Sequence, residues 1–256
     1  MQKDKYISKV TGHALVLGGS GGIGSEIVRA LVANGARAVS FTYGRNQEAA
    51  ELLKAEMEAE GAKVFMGSLD LLDAGAFEEF LDDAFTAIGE EVSVVVNSVG
   101  ISPNTPIEEQ TLEEWEKVFE VNLYGSFFST RVIANRMKQK GIQGSITLVT
   151  STNGINSQSS ISAHYDASKA AQGHTMRILA EHYAPHGIRI NGVAPGWINT
   201  SMNDTLPLDE REKEMSRIWC GRFADPAEVA AFIAFVAGSG GSYIIGQNLM
   251  IDGGYR

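Results

Sequence analysis

Residues 13–34 read His13-Ala-Leu-Val-Leu17-Gly18-Gly19-Ser20-Gly21-Gly22-Ile23-Gly24-Ser-Glu-Ile-Val-Arg-Ala-Leu-Val-Ala-Asn34. The apolar run His13 to Leu17 has strand character, and Gly24 to Asn34 carries apolar residues at helical spacing, with Asn34-Gly35 as a stop signal. Between them lie G-x-x-x-G-x-G (Gly18, Gly22, Gly24) and a literal G-x-G-x-x-G (Gly19, Gly21, Gly24). Glycines at a strand-to-helix turn allow a tight bend, close approach of the backbone to a pyrophosphate and close helix packing, with phosphates over the helix N-terminus. The turn predicts a dinucleotide site.

Outward from this turn, short β-rich runs alternate with helical stretches. The strands are expected at His13 to Leu17, Ala38 to Thr42, Lys63 to Gly67, Val92 to Val96, Ser145 to Thr150, Ile188 to Val193 and Ile244 to Ile251. The helices are Gly24 to Asn34, Gln47 to Glu60 (closed by Gly61), Ala74 to Ile88, Thr111 to Lys140, His164 to Tyr183 and Pro226 to Ala237. Thr111 with Glu114 has the spacing of a capping box. This rhythm predicts an α/β fold: one doubly wound Rossmann-type domain over residues 1–256, a seven-stranded parallel sheet with helices on both faces. Its strand order should reverse beside the first strand, and ligands should bind at the carboxyl ends near that point. Residues 197–226 break the rhythm with Pro207, two tryptophans and many charges. So long a segment in a compact domain points to a substrate lid.

Composition limits the alternatives. With 256 residues, 44% hydrophobic and 20% charged, 28 glycines and 6 prolines, the chain is neither collagen-like, low-complexity nor a coiled coil. Its longest apolar run, Ala230 to Ala237, falls short of the ~20 residues of a membrane helix. The first twelve residues resemble neither a signal nor a transit peptide, so a cytoplasmic address is expected. Twenty-one basic against 31 acidic residues, net −10, disfavours nucleic acid. The single Cys220 excludes an intramolecular disulfide. His182 and His186 are read as a helix end between Pro185 and Gly187 rather than as metal ligands. No metal is expected.

The carboxylate expected roughly 20 positions after the glycine turn, where it would accept the ribose hydroxyls of NAD, is missing. That stretch reads Phe41-Thr-Tyr-Gly-Arg45-Asn46. An arginine there suits a 2′-phosphate, so NADP(H) is expected over NAD(H). Tyr165 and Lys169, four apart on one helix face, place a phenol beside an ammonium. A cation about 5 Å away at an effective dielectric near 20 is worth on the order of 3 kcal/mol, roughly two pKa units off tyrosine's ~10. On that reading Tyr165 is a proton donor and acceptor near neutral pH.

Together these residues resemble the short-chain dehydrogenase/reductase family, from about His13 to Gly254. The glycine turn, with Ser20, Gly21 and Ile23 between its fixed glycines, matches the family's, although Leu17 stands where threonine is usual. Asp70, followed by Leu71, matches its adenine-contacting acid. Asn97-Ser98-Val99-Gly100 keeps the outer residues of its N-N-A-G. Asn122, Ser151, Tyr165 and Lys169 match its catalytic set, with Thr150 and Thr152 as rivals to Ser151. The separation from Ser151 to Tyr165 is about one residue longer than the family's. Pro195, Gly196 and Thr200, with Ile198 between, match the P-G-x-x-x-T that embraces the nicotinamide, and Asp252-Gly253-Gly254 resembles the family's ending.

The resemblance implies that Tyr165 exchanges a proton with a carbonyl or alcohol oxygen while hydride moves to or from the nicotinamide. Ser151 would hydrogen-bond the same oxygen, Lys169 would hold the ribose, and Asn122 would anchor a water. The implied activity is interconversion of a ketone and a secondary alcohol. The layout is similar to 3-oxoacyl-acyl-carrier-protein reductases, for which Arg131, Arg136, Lys138 and Lys140 offer a basic dock. Ile142 and His186 stand where those reductases often carry arginine, which keeps sugar, polyol and other alcohols open. A non-catalytic dinucleotide sensor is the reading from another class. The family also implies a homotetramer or homodimer.

Overall fold

The computed structural model describes residues 8–156, 158–200, 203, 206 and 208–256. Seven strands form one parallel sheet in the order β3-β2-β1-β4-β5-β6-β7. They are β1 (His13–Leu17), β2 (Ala38–Tyr43), β3 (Lys63–Ser68), β4 (Val92–Asn97), β5 (Gly144–Val149), β6 (Ile188–Pro195) and β7 (Asn248–Ile251). The helices are α1 (Gly22–Ala33), α2 (Gln47–Ala59), α3 (Ala74–Ile88), α4 (Leu112–Phe119), α5 (Ser126–Lys140), α6 (Ala163–Tyr183), α7 (Leu208–Ser216) and α8 (Pro226–Ala237).

All of β1 is buried, because helices cover both faces of a parallel sheet. Its side chains alternate between two cores. Ala14 and Val16 join Ile27 and Leu31 of α1, Leu53 of α2 and Ile233 of α8. Leu15 and Leu17 join Phe77 of α3, Ile133 of α5 and Met176 of α6. The sheet turns back on itself between β1 and β4, so the carboxyl ends of those strands open a crevice. The glycine turn, Asn97 and the end of β5 all meet there.

Three elements depart from expectation. The stretch Thr111 to Lys140 is not one helix: after α4, whose start carries the expected Thr111–Glu114 capping box, it widens into a π turn at Glu120–Gly125 before α5. Strand β7 begins at Asn248 rather than Ile244, because residues 244–247 form a turn through Gly246 (φ +69°). Asn191 of β6 pins that turn, donating to the Ile244 carbonyl (2.7 Å) and accepting from the Gln247 amide (3.1 Å). Within 197–226 the chain forms α7, and Ile198 pairs with Ala224 at the segment's two ends. Pro207 lies outside the described residues. No helix among the described residues is long and apolar enough to cross a membrane.

Candidate active site

The glycine turn is strapped to the end of β2. Gly18 N–H donates to Thr42 Oγ1 (2.9 Å) and Gly19 N–H to the Thr42 carbonyl (2.8 Å). Gly18 has φ +78°, and a Cβ on Gly24 would fall 2.0 Å from the Gly18 carbonyl oxygen, so only glycine fits. Helices α2, α3, α4 and α8 start with side-chain caps from Asn46, Asp73, Thr111 and Asp225. Helix α1 has neither a side-chain cap nor an acidic residue in its first turn. Its uncapped amides behind a turn of glycines fit a pyrophosphate.

The other expected cofactor contacts surround the same crevice. Asn97 is buried, its Oδ1 accepting from the Val99 amide (3.0 Å). Gly100 leaves room beside Lys169: a Cβ there would lie 3.3 Å from Nζ. Arg45 is exposed just past β2, while Asn46 is spent on capping α2. Asp70 is exposed and accepts from the Leu72 amide (3.0 Å), with Leu71 buried beside it. Ile23, Gly100, Pro195, Gly196, Ile198 and Thr200 all line the cleft. Thr200 stands opposite the turn, since a Cβ on Gly22 would come 3.1 Å from its side chain.

Four polar residues converge below. Ser151 and Tyr165 both line the cleft, the serine hydroxyl close enough to the phenol to favour its ionised form. The serine's rivals point elsewhere: Thr150 Oγ1 lies within hydrogen-bond reach of the Val193 carbonyl (3.0 Å) and Asn248 Oδ1 (2.6 Å), and Thr152 donates to the Pro195 carbonyl (3.3 Å). Lys169 Nζ donates to the Val149 carbonyl (2.9 Å) and Gln172 Oε1 (3.1 Å). Asn122, in the π turn, accepts from the Ile101 amide (2.8 Å) and donates to the Ile101 carbonyl (2.9 Å) and Ser168 Oγ (3.1 Å). It thus ties the loop after β4 to α6. A π turn changes the phase of a helix, and this one aims a fully buried asparagine at both partners.

The electrostatics correct the sequence expectation. Burial brings the Lys169 ammonium down from its ordinary 10.5 to about 7, and burial pushes the Tyr165 phenol up, opposed by the Ser151 hydroxyl and reinforced by the Asp166 charge. The expected lowering of the phenol by a full neighbouring cation is therefore absent in the free protein. Desolvation outweighs the ion–phenol attraction.

Aromatic residues around the site differ in their surroundings. Trp197 lines the cleft and stacks on Phe223 (5.3 Å between ring centres). Trp219 is exposed, with the Arg256 guanidinium 4.0 Å from its ring centre. His164 is fully buried, its Nδ1 accepting from the Tyr165 amide (2.8 Å) in the first turn of α6. Of the four residues of the expected basic dock, Lys138 and Lys140 end α5 just before the amino end of β5, opposite the cleft, Arg136 is occupied by Asp82 (2.7 Å) and Glu91 (2.9 Å), and Arg131 lies over the Phe128 ring (4.8 Å).

Sequence reasoning missed most of the open wall: Ser102, Asn104, Asn153, Ser159, Ser162 and Asn203 also line the cleft. It missed Glu214 too, which accepts from the Trp197 indole (3.1 Å) and the Tyr255 phenol and so ties α7 to the C-terminal residues. Such residues lie in irregular loops, where no periodicity marks them.

Comparison with known proteins agrees with this geometry. The family model described as enoyl-(acyl carrier protein) reductase matches residues 18–256. A tropinone reductase homolog of Arabidopsis thaliana is 34% identical, the alignment covering 100% of this chain and 96% of that one. A galactitol 2-dehydrogenase (L-tagatose-forming) of Cereibacter sphaeroides is 34% identical, covering 94% of each. A solved short-chain dehydrogenase/reductase from Serratia marcescens superimposes with a TM-score of 0.87 at 31% identity, covering 97% of this chain and 99% of that one. With its glycine cradle, reversed sheet order and a serine and tyrosine lining one cleft, the chain belongs to the short-chain dehydrogenase/reductase family and is an oxidoreductase of that type.

Proposed function

We propose that the protein is an NADP(H)-dependent oxidoreductase interconverting a ketone and a secondary alcohol, with Tyr165 as its acid and base. The observation that carries this reading is that Ser151, Tyr165 and Lys169 line one cleft together with Ile23 from the uncapped first turn of α1. Tyr165 Oη, kept protonated by burial, gives its proton to the carbonyl oxygen in reduction and takes it back in oxidation. Ser151 Oγ hydrogen-bonds the same oxygen as charge develops on it. Lys169 lies one helical turn on, beside Gly100, where ribose hydroxyls would reach it. Asn122 holds that turn against the loop after β4. A nicotinamide held in this cleft would supply the hydride in reduction and accept it in oxidation.

Preference for NADP(H) is supported by exposed Arg45 at the end of β2 and by the absence of a carboxylate in Phe41–Asn46. Substrate recognition favours small, neutral, hydroxyl-rich molecules over acyl thioesters. Among the described lining residues Lys169 is the only charged one, and the open wall carries serine and asparagine side chains. The 3-oxoacyl version is less supported, since Arg136, Lys138 and Lys140 are paired or lie away from the cleft. A pure sensor has no use for Ser151 facing the cleft beside Tyr165. Assembly through α4–α5 and α6 into a homodimer or homotetramer belongs to the same reading, supported by exposed Tyr124, Phe128 and Ile178 on those elements.

The test is NADPH consumption with a panel of ketoses, diketones and 3-oxoacyl thioesters. Turnover on ketoses above thioesters is expected. NADPH binding without turnover of any ketone would leave the sensor, and no binding of either coenzyme would remove the reading.

A further inference from the structure

Asp166, the residue after Tyr165, plays no part in the proposed chemistry, yet its carboxylate is the best-connected group beside it. Oδ1 accepts from Asn153 Nδ2 (2.7 Å) and from Ser162 Oγ (3.0 Å), and Oδ2 accepts from the Ser159 amide (2.8 Å). All three donors lie between Ser151 and Tyr165. One carboxylate in the first turn of α6 therefore gathers three points of the preceding segment.

That segment serves the site twice. Asn153, Ser159, Ile161 and Ser162 line the cleft, and the Ile161 carbonyl accepts from the Thr105 amide (2.9 Å), fastening the opposite loop that carries Ser102 and Asn104. Asn153 also gives its backbone N–H to Ser151 Oγ (3.2 Å). The connection runs from Asp166 to Asn153 and from Asn153 to Ser151, which faces the same cleft as Tyr165. Gly154 presses the turn against the helix, since a Cβ there would come 2.6 Å from the Lys169 carbonyl carbon. The stretch from Ser151 to Tyr165 is about one residue longer than the family resemblance suggests, and Asp166 holds that longer loop to the helix.

We propose that Asp166 is a positioning residue that sets Ser151 and the substrate wall against Tyr165. This rests on the roles given to Ser151 and Tyr165 above. Three hydrogen bonds to one carboxylate, one from a backbone amide, hold more firmly than bonds between neutral groups. Neither loop wall has another charged anchor to α6 among the hydrogen bonds described.

The experiment compares Asp166→Ala, Asp166→Asn and the exchanged pair Asn153→Asp/Asp166→Asn with the wild type. It measures amide hydrogen exchange over 151–162, NADPH affinity, and kcat and KM for whichever ketone the wild type reduces. For Asp166→Ala, exchange near Ser159 should accelerate at least about tenfold and kcat/KM fall at least about tenfold, with NADPH affinity unchanged within about threefold. The exchanged pair should recover much of both, since the amide and carboxylate still face each other. In Asp166→Asn the alkaline limb of the pH–rate profile should move to lower pH, because a negative charge beside the phenol is gone. Unchanged exchange in Asp166→Ala, an exchanged pair no better than the alanine variant, or a parallel loss of NADPH affinity would overturn the proposal. If the wild type reduces no ketone, the exchange and binding measurements decide it without turnover, and only the functional reading fails.

Discussion

The Lys169 ammonium nitrogen lies 5.7 Å from the centre of the Tyr165 ring, one helical turn away on the buried face of α6. That distance agrees with their spacing in the sequence, but the charge state does not. Their surroundings are drier than the spacing alone reveals, so each group is pushed toward its neutral form.

A buried lysine at about 7 makes the fold pH-sensitive in a defined direction. Its folded value lies below the unfolded 10.5, so the unfolded chain binds the extra proton between those values. Stability is relatively lowest below pH 7 and rises as pH climbs toward 10.5. Lys169→Met should be more stable than the wild type at pH 6, by up to about 5 kcal/mol from the shift alone, less the two lost hydrogen bonds. The advantage should vanish above pH 10. Denaturant melts at both pH values check this.

The raised phenol separates the two directions of reaction. Ketone reduction needs a protonated Tyr165 and should stay flat from pH 6 to 9. Alcohol oxidation needs the phenolate and should still be rising above pH 10. Initial rates in each direction across that range measure it, and oxidation saturating by pH 8 would contradict it.

His13 is fully buried at the start of β1, with Nδ1 on the Glu90 carbonyl (2.8 Å) and Nε2 on Ser40 Oγ (2.7 Å). Burial lowers its pKa below 6.5. Its contribution is therefore intact above pH 6.5 and lost as pH falls further. His13→Gln should flatten the acid side of the stability curve, as thermal melts between pH 5 and 7 would register.

Arg45→Ala should weaken NADPH binding about tenfold or more while leaving NADH nearly unchanged, as expected for loss of a charged partner to a 2′-phosphate. Direct titration of both coenzymes provides the comparison. Equal losses for both would place Arg45 outside phosphate recognition.

Much of the frame is legible in the sequence because its signals are local. The strand, glycine turn and helix from His13 to Asn34 follow from periodicity and steric need, and Thr111 with Glu114 marks α4 by hydrogen-bond chemistry. What escapes depends on tertiary packing. No helical periodicity announces the π turn around Asn122. The break at Gly246 is set by Asn191 on a neighbouring strand. The charge state of Lys169 depends on what lies above it, and Asp166 resembles any helix-start acid until the loop folds back onto it.

The central claim is that Tyr165 gives and takes the proton beside the dinucleotide cradle. Tyr165→Phe removes one oxygen and leaves the helix and ring in place, so its pre-steady-state hydride transfer and NADPH affinity form the most direct test. Transfer should slow by about 10²–10⁴-fold with NADPH affinity unchanged within about threefold. Transfer within a few fold of the wild type, with coenzyme bound, would contradict the account.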